Sequence, residues 1–328
     1  MIPRRKHKVW WRLGLLLVGL SATLSPDTAG AAIVEETIDL PVVVTTGRGD
    51  VVQRHIMVMI VRDEAVSRAP FLLLNHGRAG DSAGRQSFTP TIYHANARYF
   101  VSRGFAVFVP VRIGYGASGG PDIENGGACE AKHFPPAYEA AAEQGLAVIA
   151  FAKKQKYVDP ARGIVVGQSF GGATAIALAS KSVPGVLAAV NFAGGGGGDP
   201  DNRPEHPCGA DRMAQLFGSY GATSHIPTLW LYSANDRYWG PTWPRTWHRA
   251  FLAHGGSGRL VELPPYKSDG HRSFTGNPDA WKPEFEAFLQ SCCPSLRRSA
   301  ATALPARFAA ARLWRSFRSA SSETHRGS

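Results

Sequence analysis

The sequence has few of the residues that build metal sites and cross-linked frameworks. It contains 4 cysteines in 328 residues, with no C-x-x-C motif and no Cys/His spacing of the zinc-binding kind. We therefore predict neither a metal site nor a cofactor. No internal repeat is visible. The one marked apolar run, residues 13–24, is too short to cross a bilayer comfortably, and no cysteine closely follows it, which argues against a lipoprotein.

Acidic residues are outnumbered, but the excess of basic charge belongs to the two ends of the chain. The formal net charge is +11. Residues 1–12 carry five lysines and arginines, and residues 294–328 carry seven arginines against one glutamate. The residues between them have no net charge, so we expect no nucleic-acid partner.

The N-terminal residues follow the order of a secretory signal. A basic start precedes the apolar run, and the small residues 29–32 (Ala-Gly-Ala-Ala) follow it. We predict that residues 1–31 are a signal peptide and that the protein is periplasmic or secreted. An uncleaved anchor is the alternative.

The C-terminal residues 294–328 are rich in alanine, serine and arginine. We expect a basic, disordered tail. The alternative is a short amphipathic helix over residues 304–317 that contacts an anionic membrane surface.

Two of the cysteines are candidates for a disulfide. Cys129 and Cys208 both lie in loops rich in glycine and proline, and a bridge would pin those loops together. Cys292 and Cys293 are adjacent and hard to bridge internally. The pairing cannot be deduced from sequence alone.

Apolar runs predict an α/β fold. Two β-rich runs, 33–44 and 51–61, come first without a helix between them. Short apolar strands then alternate with helices, which is typical of a mostly parallel central sheet with helices on both faces. We expect the first two strands to extend one edge antiparallel. The predicted catalytic domain spans residues 33–291, with loop insertions 112–136 and 194–225 over the site.

Residues 167–171 read Gly-Gln-Ser-Phe-Gly, which fits the G-x-S-x-G motif of a nucleophile elbow. An apolar strand precedes the motif and a small-residue helix follows it. The motif requires Ser169 to sit on a strained turn that exposes its hydroxyl. Flanking glycines are needed because side chains there would collide with the neighbouring strand and helix. We therefore predict that Ser169 is a nucleophile.

A serine hydroxyl needs a base to accept its proton and a carboxylate to orient that base. In this fold class the chain order is Ser, then Asp or Glu, then His. Asp236 follows an apolar strand, and His271 lies in the loop after the last strand. The alternatives are an Asx turn or helix cap at Asp236, a surface histidine at His271, and Asp269 as the orienting carboxylate.

The oxyanion of an ester intermediate needs two backbone donors. The N–H of Phe170 follows the nucleophile, and Gly77 lets the chain after the earlier strand turn inward. We predict that the N–H groups of Phe170 and Arg78 form the oxyanion hole.

At these motifs the chain resembles the α/β-hydrolase superfamily, and within it the serine-type members of the dienelactone hydrolase family. The resemblance covers about residues 35–290 and rests on Asn75-His76-Gly77, Arg112-Ile113-Gly114-Tyr115-Gly116, Gly167-Gln168-Ser169-Phe170-Gly171, Asn235-Asp236 and Asp269-Gly270-His271. It implies that Ser169 is the nucleophile, His271 the general base and Asp236 its orienting acid, with Phe170 and Arg78 at the oxyanion hole. The namesake enzymes use cysteine as nucleophile, so the serine here favours an ordinary ester over a dienelactone.

The predicted function is therefore an exported serine hydrolase that cleaves a small-molecule carboxylic ester through an acyl-enzyme. We expect Tyr115 and Trp239 to contact the substrate. A peptidase on the same fold is one alternative. The other is a catalytically silent binding protein, although such proteins tend to lose a member of the triad, and this chain retains all three.

Overall fold

Within residues 32–296, which the computed structural model describes, eight strands form one sheet. In chain order they are β1 (Ile33–Thr45), β2 (Val51–Asp63), β3 (Ala69–Asn75), β4 (Ala106–Pro110), β5 (Val158–Gln168), β6 (Val186–Phe192), β7 (Pro227–Ser233) and β8 (Ser257–Leu263). Strands β3 and β4 are buried at every position, as expected for apolar strands covered on both faces.

The strand order across the sheet is β1-β2-β4-β3-β5-β6-β7-β8. β1 and β2 form an antiparallel hairpin, and β2 pairs antiparallel with β4. The other neighbours pair in parallel. The predicted fold class, a mostly parallel sheet with an antiparallel N-terminal edge, is therefore confirmed.

Helices cover both faces of the sheet. They are α1 (Ser82–Gln86), α2 (His94–Ser102), α3 (Pro135–Ala152), α4 (Phe170–Ala179), α5 (Ala210–Gly221), α6 (Thr242–Ala253), α7 (Ser273–Gly276) and α8 (Pro278–Cys292). Alternate residues of β3 point to opposite faces: Phe71 and Leu73 join the core under α3 to α6, whereas Leu72 and Leu74 join the core under α2 and α8. This alternation follows from the two-residue period of a strand.

The order of the strands brings the functional loops together. β3 and β5 are neighbours in the sheet, although the chain forms β4 between them. The loops after β3 and β5 therefore lie side by side at the carboxyl ends of the strands, where α/β sheets bind their ligands. The segments after β7 and β8 reach the same edge.

The chain continues past α8 as part of the folded body. Pro294–Leu296 form a short 3-10 helix, and Leu296 is buried. The Arg162 guanidinium also donates a hydrogen bond of 2.8 Å to the Ser295 carbonyl. The expectation that the disordered tail begins at residue 294 is therefore wrong for its first three residues, because their apolar and backbone groups pack on the body.

The predicted signal peptide, residues 1–31, lies outside the described residues, as do residues 297–328 of the predicted tail. Both stay predictions. Between these two segments, no helix combines the length and the apolarity needed to cross a bilayer.

Candidate active site

Ser169 occupies a strained turn between β5 and α4. Its φ of 56° and ψ of −123° lie in a region that residues other than glycine rarely adopt. The turn is tight enough to exclude side chains on either side. A Cβ added to Gly167 would lie 2.0 Å from the Gly171 carbonyl oxygen, and one added to Gly171 would lie 2.2 Å from the Asn75 carbonyl oxygen. Both glycines of the motif are therefore required by close backbone approach.

Three residues that are distant in the chain meet at this turn. The Oγ of Ser169 lies 2.9 Å from Nε2 of His271, and Nδ1 of His271 lies 2.9 Å from Oδ2 of Asp236. Asp236 is fully buried and His271 is 7% exposed. This is the order of contacts in which an imidazole can take a hydroxyl proton while a carboxylate holds its tautomer.

The two candidate carboxylates, Asp236 and Asp269, make different contacts. Asp236 does form a turn, since its Oδ1 accepts the N–H groups of Tyr238 at 2.9 Å and Trp239 at 3.3 Å. Its other oxygen remains for His271. Asp269 instead accepts the backbone N–H groups of Arg237 and His271, at 3.1 and 3.0 Å. Asp269 thus ties the two loops together, and Asp236 faces the imidazole.

Aromatic rings enclose the imidazole of His271. The Tyr238 ring stacks on it with centroids 3.9 Å apart, and the Trp239 ring meets it edge-on at 5.5 Å. The role of Tyr238 was not predicted, because nothing in the sequence distinguishes it from any other aromatic residue in a loop.

A hydrogen-bonded chain connects the loops around Ser169. The Gly77 N–H donates to the Tyr93 hydroxyl at 3.3 Å, and that hydroxyl donates to Oε1 of Gln168 at 2.9 Å. Nε2 of Gln168 then donates to the His271 carbonyl at 3.1 Å. The side chain beside the nucleophile therefore fixes the histidine loop relative to the loop after β3.

The two predicted oxyanion donors lie on the loops that flank Ser169. Phe170 opens α4, so its N–H has no partner within the helix and lies at the positive end of the helix dipole. On the other side, a Cβ added to Gly77 would lie 3.3 Å from Cβ of Ser169 and 3.9 Å from its Oγ. Arg78 follows Gly77 directly. The role of these two N–H groups stays a prediction.

Comparison with known proteins agrees with this architecture. Residues 89–222 match the dienelactone hydrolase family, a segment that includes Ser169 and ends before Asp236. The chain has an α/β-hydrolase fold. The expected resemblance to the dienelactone hydrolase family is confirmed. No curated protein matches the sequence.

Several solved structures share this fold at low sequence identity. The esterase Est22 is 15% identical, with 80% of this chain and 81% of that chain covered and a TM-score of 0.53. An esterase of Pyrococcus furiosus is 14% identical, with 78% and 90% covered and a TM-score of 0.50. The acylaminoacyl peptidase of Pyrococcus horikoshii is 13% identical, with 77% of this chain but 41% of that chain covered and a TM-score of 0.52.

A cavity of about 810 Å³ opens beside Ser169. Glycines 195–198 form part of its wall, and added Cβ atoms there would collide with the aromatic side chains behind them or with the backbone of Cys208. Eight charged residues line it in equal numbers of each sign: Arg78, Arg85, Lys132 and Arg203 against Asp81, Asp122, Asp199 and Asp201. No valine, leucine, isoleucine or methionine of residues 32–296 lines it.

Two cations of the cavity, Arg78 and Lys132, have different hydrogen-bond partners. Nη1 and Nη2 of Arg78 each donate a hydrogen bond of 2.7 Å to the Asp122 carboxylate. Burial alone would lower the pKa of Arg78, but the bond to Asp122 raises it above its ordinary value. Lys132 donates to the Gly127 carbonyl at 2.5 Å, and burial together with the charges of Arg78 and Arg203 lowers its pKa.

The two predicted substrate contacts have different outcomes. Trp239 lines the cavity, and its indole N–H donates to the Ala193 carbonyl at 2.7 Å. The structure does not place Tyr115 in the cavity. Tyr115 is 1% exposed, and its hydroxyl donates to Glu124 at 3.1 Å behind Arg78. In this structure Tyr115 therefore packs beneath the wall of the cavity.

Cys129 and Cys208 form a disulfide, and both residues line the cavity. The bond joins the loop insertion 112–136 to the insertion 194–225.

Cys292 and Cys293 are free, and Cys293 is buried. Residues 32–296 contain no group of three or more metal-ligating side chains.

Proposed function

We propose that this hydrolase cleaves carboxylic esters through an acyl-enzyme on Ser169. The observation that carries the proposal is the pair of 2.9 Å contacts from Ser169 through His271 to Asp236. The strained elbow exposes the hydroxyl, and the cavity gives a small ester access to it. The residues of the proposed reaction all lie at one edge of the sheet.

In the first half of the reaction, the Ser169 hydroxyl attacks the ester carbonyl carbon while Nε2 of His271 accepts its proton. The carbonyl oxygen becomes an oxyanion facing the N–H groups of Phe170 and Arg78. Collapse of this intermediate breaks the bond to the alcohol, which leaves with the proton from His271. In the second half, water attacks the acyl-enzyme by the same steps, with His271 accepting its proton and returning it to Ser169, and the acid is released. Asp236 stabilises the imidazolium in both halves.

The lining of the cavity favours a short or polar ester. An apolar pocket gains about 0.8 kcal/mol for each methylene that it buries. Here the apolar side chains of the lining are mainly the aromatic Phe170, Tyr238 and Trp239. Binding therefore lacks the aliphatic surface that would reward a long acyl chain.

The test is hydrolysis of p-nitrophenyl acetate, butyrate and octanoate by the purified protein. Ser169→Ala and His271→Ala should each lower kcat about 10⁴-fold or more, because loss of a triad member removes the activated nucleophile. Ser102→Ala, which changes an exposed serine, should behave as the parent. We expect kcat/KM to stay level or fall from acetate to octanoate.

Other outcomes would point elsewhere. Activity on peptide anilides that exceeds activity on all three esters would favour a peptidase. A folded parent that neither hydrolyses these compounds nor is labelled by a fluorophosphonate would favour a silent binding protein. A kcat/KM that rises tenfold from acetate to octanoate would contradict the short or polar substrate.

The proposed location is the periplasm or the extracellular medium. The pattern of residues 1–31 supports export, and the Cys129–Cys208 disulfide suits an oxidising compartment. Fractionation of cells that express the full chain should recover activity outside the cytoplasm. Deletion of residues 1–31 should retain the protein inside, and equal export of both forms would contradict the proposal.

A further inference from the structure

A buried charged cluster lies directly behind the loop after β3, and the triad does not use it. The side chains of Arg112, Glu124 and His76 are fully or almost fully buried. Burying an ion pair removes both charges from water, and the free energy is regained only where all their hydrogen bonds are made. The partners of this cluster therefore indicate its role.

Arg112 makes contacts in two directions. Its Nε and Nη2 donate to the Glu124 carboxylate, which holds the guanidinium in place. Nη1 donates to the His76 carbonyl at 2.8 Å, and Nη2 is 3.4 Å from the Gly77 carbonyl. The buried ion pair is thus hydrogen-bonded to the backbone of the turn that leads to Arg78.

The same turn is held by the His76 side chain. The Arg112 backbone N–H donates to Nε2 of His76 at 3.1 Å, so Nε2 carries no proton. The proton of a neutral ring is then on Nδ1, which lies 2.6 Å from the Gly77 carbonyl oxygen and donates to it. Burial, and then the charge of Arg112, lowers the pKa of His76, which keeps the ring neutral.

The Gly77 carbonyl and the Arg78 N–H belong to one peptide group. In a trans peptide they point in opposite directions. Donors that hold the carbonyl on the buried side therefore direct the N–H to the other side, where Gly77 lies against Ser169. Hydrogen bonds to a carbonyl also polarise its peptide, which strengthens the N–H as a donor.

We propose that Arg112, anchored by Glu124 and assisted by neutral His76, is a positioning residue that aims the Arg78 N–H at the oxyanion. The inference rests on the proposed ester hydrolysis. Arg112 touches no reacting atom. Its effect passes through the Gly77–Arg78 peptide and should be felt in the transition state, where the oxyanion carries its charge, more than in substrate binding.

The test is Arg112→Lys, which keeps a positive charge near Glu124 but loses the fork that reaches the two carbonyls. We expect kcat on p-nitrophenyl acetate to fall about 10- to 100-fold, somewhat less than the loss of a whole oxyanion donor. The KM should stay within about threefold. The rate of fluorophosphonate labelling of Ser169 should fall in parallel, because that reaction also places an oxygen in the oxyanion hole.

Two controls separate positioning from general damage. Val148→Ala trims a fully buried residue of α3 and lowers stability without touching the loop, so its kcat should match the parent. If Arg112→Lys does not fold, Glu124→Gln carries the test, with an expected loss in kcat of about 3- to 10-fold.

A folded variant whose kcat and labelling rate both remain within twofold of the parent would overturn the inference. So would a change confined to KM. Failure of the proposed function can be distinguished from failure of this inference. A parent protein that is labelled at Ser169 but hydrolyses no ester would contradict the proposed function. The labelling rates of the parent and of Arg112→Lys would still show whether Arg112 positions the donor.

Discussion

Ser169 shows how a single residue stores strain that its surroundings must offset. A residue other than glycine at a φ of 56° and a ψ of −123° costs about 1–3 kcal/mol. The close packing of the start of α4 against the end of β3 offsets this cost. Gly171 lies at this contact between the helix start and the strand end.

Gly171→Ala should therefore remove more stability than an ordinary glycine replacement. The new methyl group would lie 2.2 Å from the Asn75 oxygen and 2.4 Å from the His76 oxygen, so α4 or β3 must shift. We expect a loss of about 1–3 kcal/mol or more in the free energy of unfolding. Denaturant unfolding at neutral pH measures it.

Gly80→Ala is the matched control, since a Cβ there meets nothing within 4 Å. Its free energy of unfolding should remain close to that of the parent. Equal losses in the two variants would show that the close approach at Gly171 is not what requires glycine.

The candidate catalytic residues could be predicted, because a motif and the order of residues along the chain indicate them. The residues that hold the surrounding loops by tertiary contacts could not be predicted. The meeting of Ser169, Asp236 and His271 follows from parallel strands whose carboxyl ends share one edge. Gln168 and Arg112 lie within motifs of the sequence, but nothing there indicates which groups their side chains contact. Each joins segments more than 30 residues apart, and their partners become neighbours only once the sheet has formed.

Among the elements, the apolar centres of the strands could be predicted and their polar ends could not. The sequence predicts a strand over residues 164–166, whereas β5 spans Val158–Gln168. Its first half is polar and pairs with Ala69 and Pro70 across a shift in register. Pairing with a neighbour, not local hydrophobicity, sets that boundary. Helices α1 and α7, with 5 and 4 residues, are too short to show a helical period.

The two loop insertions form one element of the site because a disulfide joins them. The Cys129–Cys208 bond closes a segment with a sequence separation of 79. Replacing both cysteines by serine should lower the free energy of unfolding by about 2–4 kcal/mol. It should also lower kcat/KM, because both cysteines line the cavity. Thermal unfolding and ester hydrolysis measure the two effects.

Treatment with dithiothreitol tests whether the effect comes from the disulfide rather than from the free Cys292 and Cys293. It should shift the melting temperature of the parent towards that of the double variant and leave the double variant unchanged. A parent that retains its melting temperature after complete reduction of the bond, shown by mass spectrometry, would contradict the stabilising role.

For the whole molecule, the distribution of charge argues for a neutral substrate. The folded body carries no net charge outside the basic ends, and the cavity is lined by four cations and four anions. Arg78, which directly follows the glycine that lies against Ser169, is already paired with Asp122. The body between the basic ends therefore has no net field to draw charged esters towards the site, and we expect the polarity of the cavity lining to govern which esters bind.

Two histidines should make the stability of the whole molecule depend on pH. Burial lowers the pKa of both His76 and His248 below their ordinary value, which is about 6.5 in the unfolded chain. Between the folded and unfolded pKa values the unfolded state binds more protons, so the free energy of unfolding falls as the pH falls through this window. Each histidine contributes a slope of at most about 1.4 kcal/mol per pH unit there, reached where the unfolded state binds one proton more than the folded state.

The measurement is urea unfolding from pH 8 to pH 5, a range that lies above the titration of the carboxylates Asp122 and Asp159, whose pKa values are lowered. Stability should be constant above about pH 7 and decline below about pH 6.5. His248→Gln should reduce the slope, because it removes one of the two titrating groups and leaves His76 in place. A free energy of unfolding that stays level to pH 5 would mean that neither ring is held neutral by the fold.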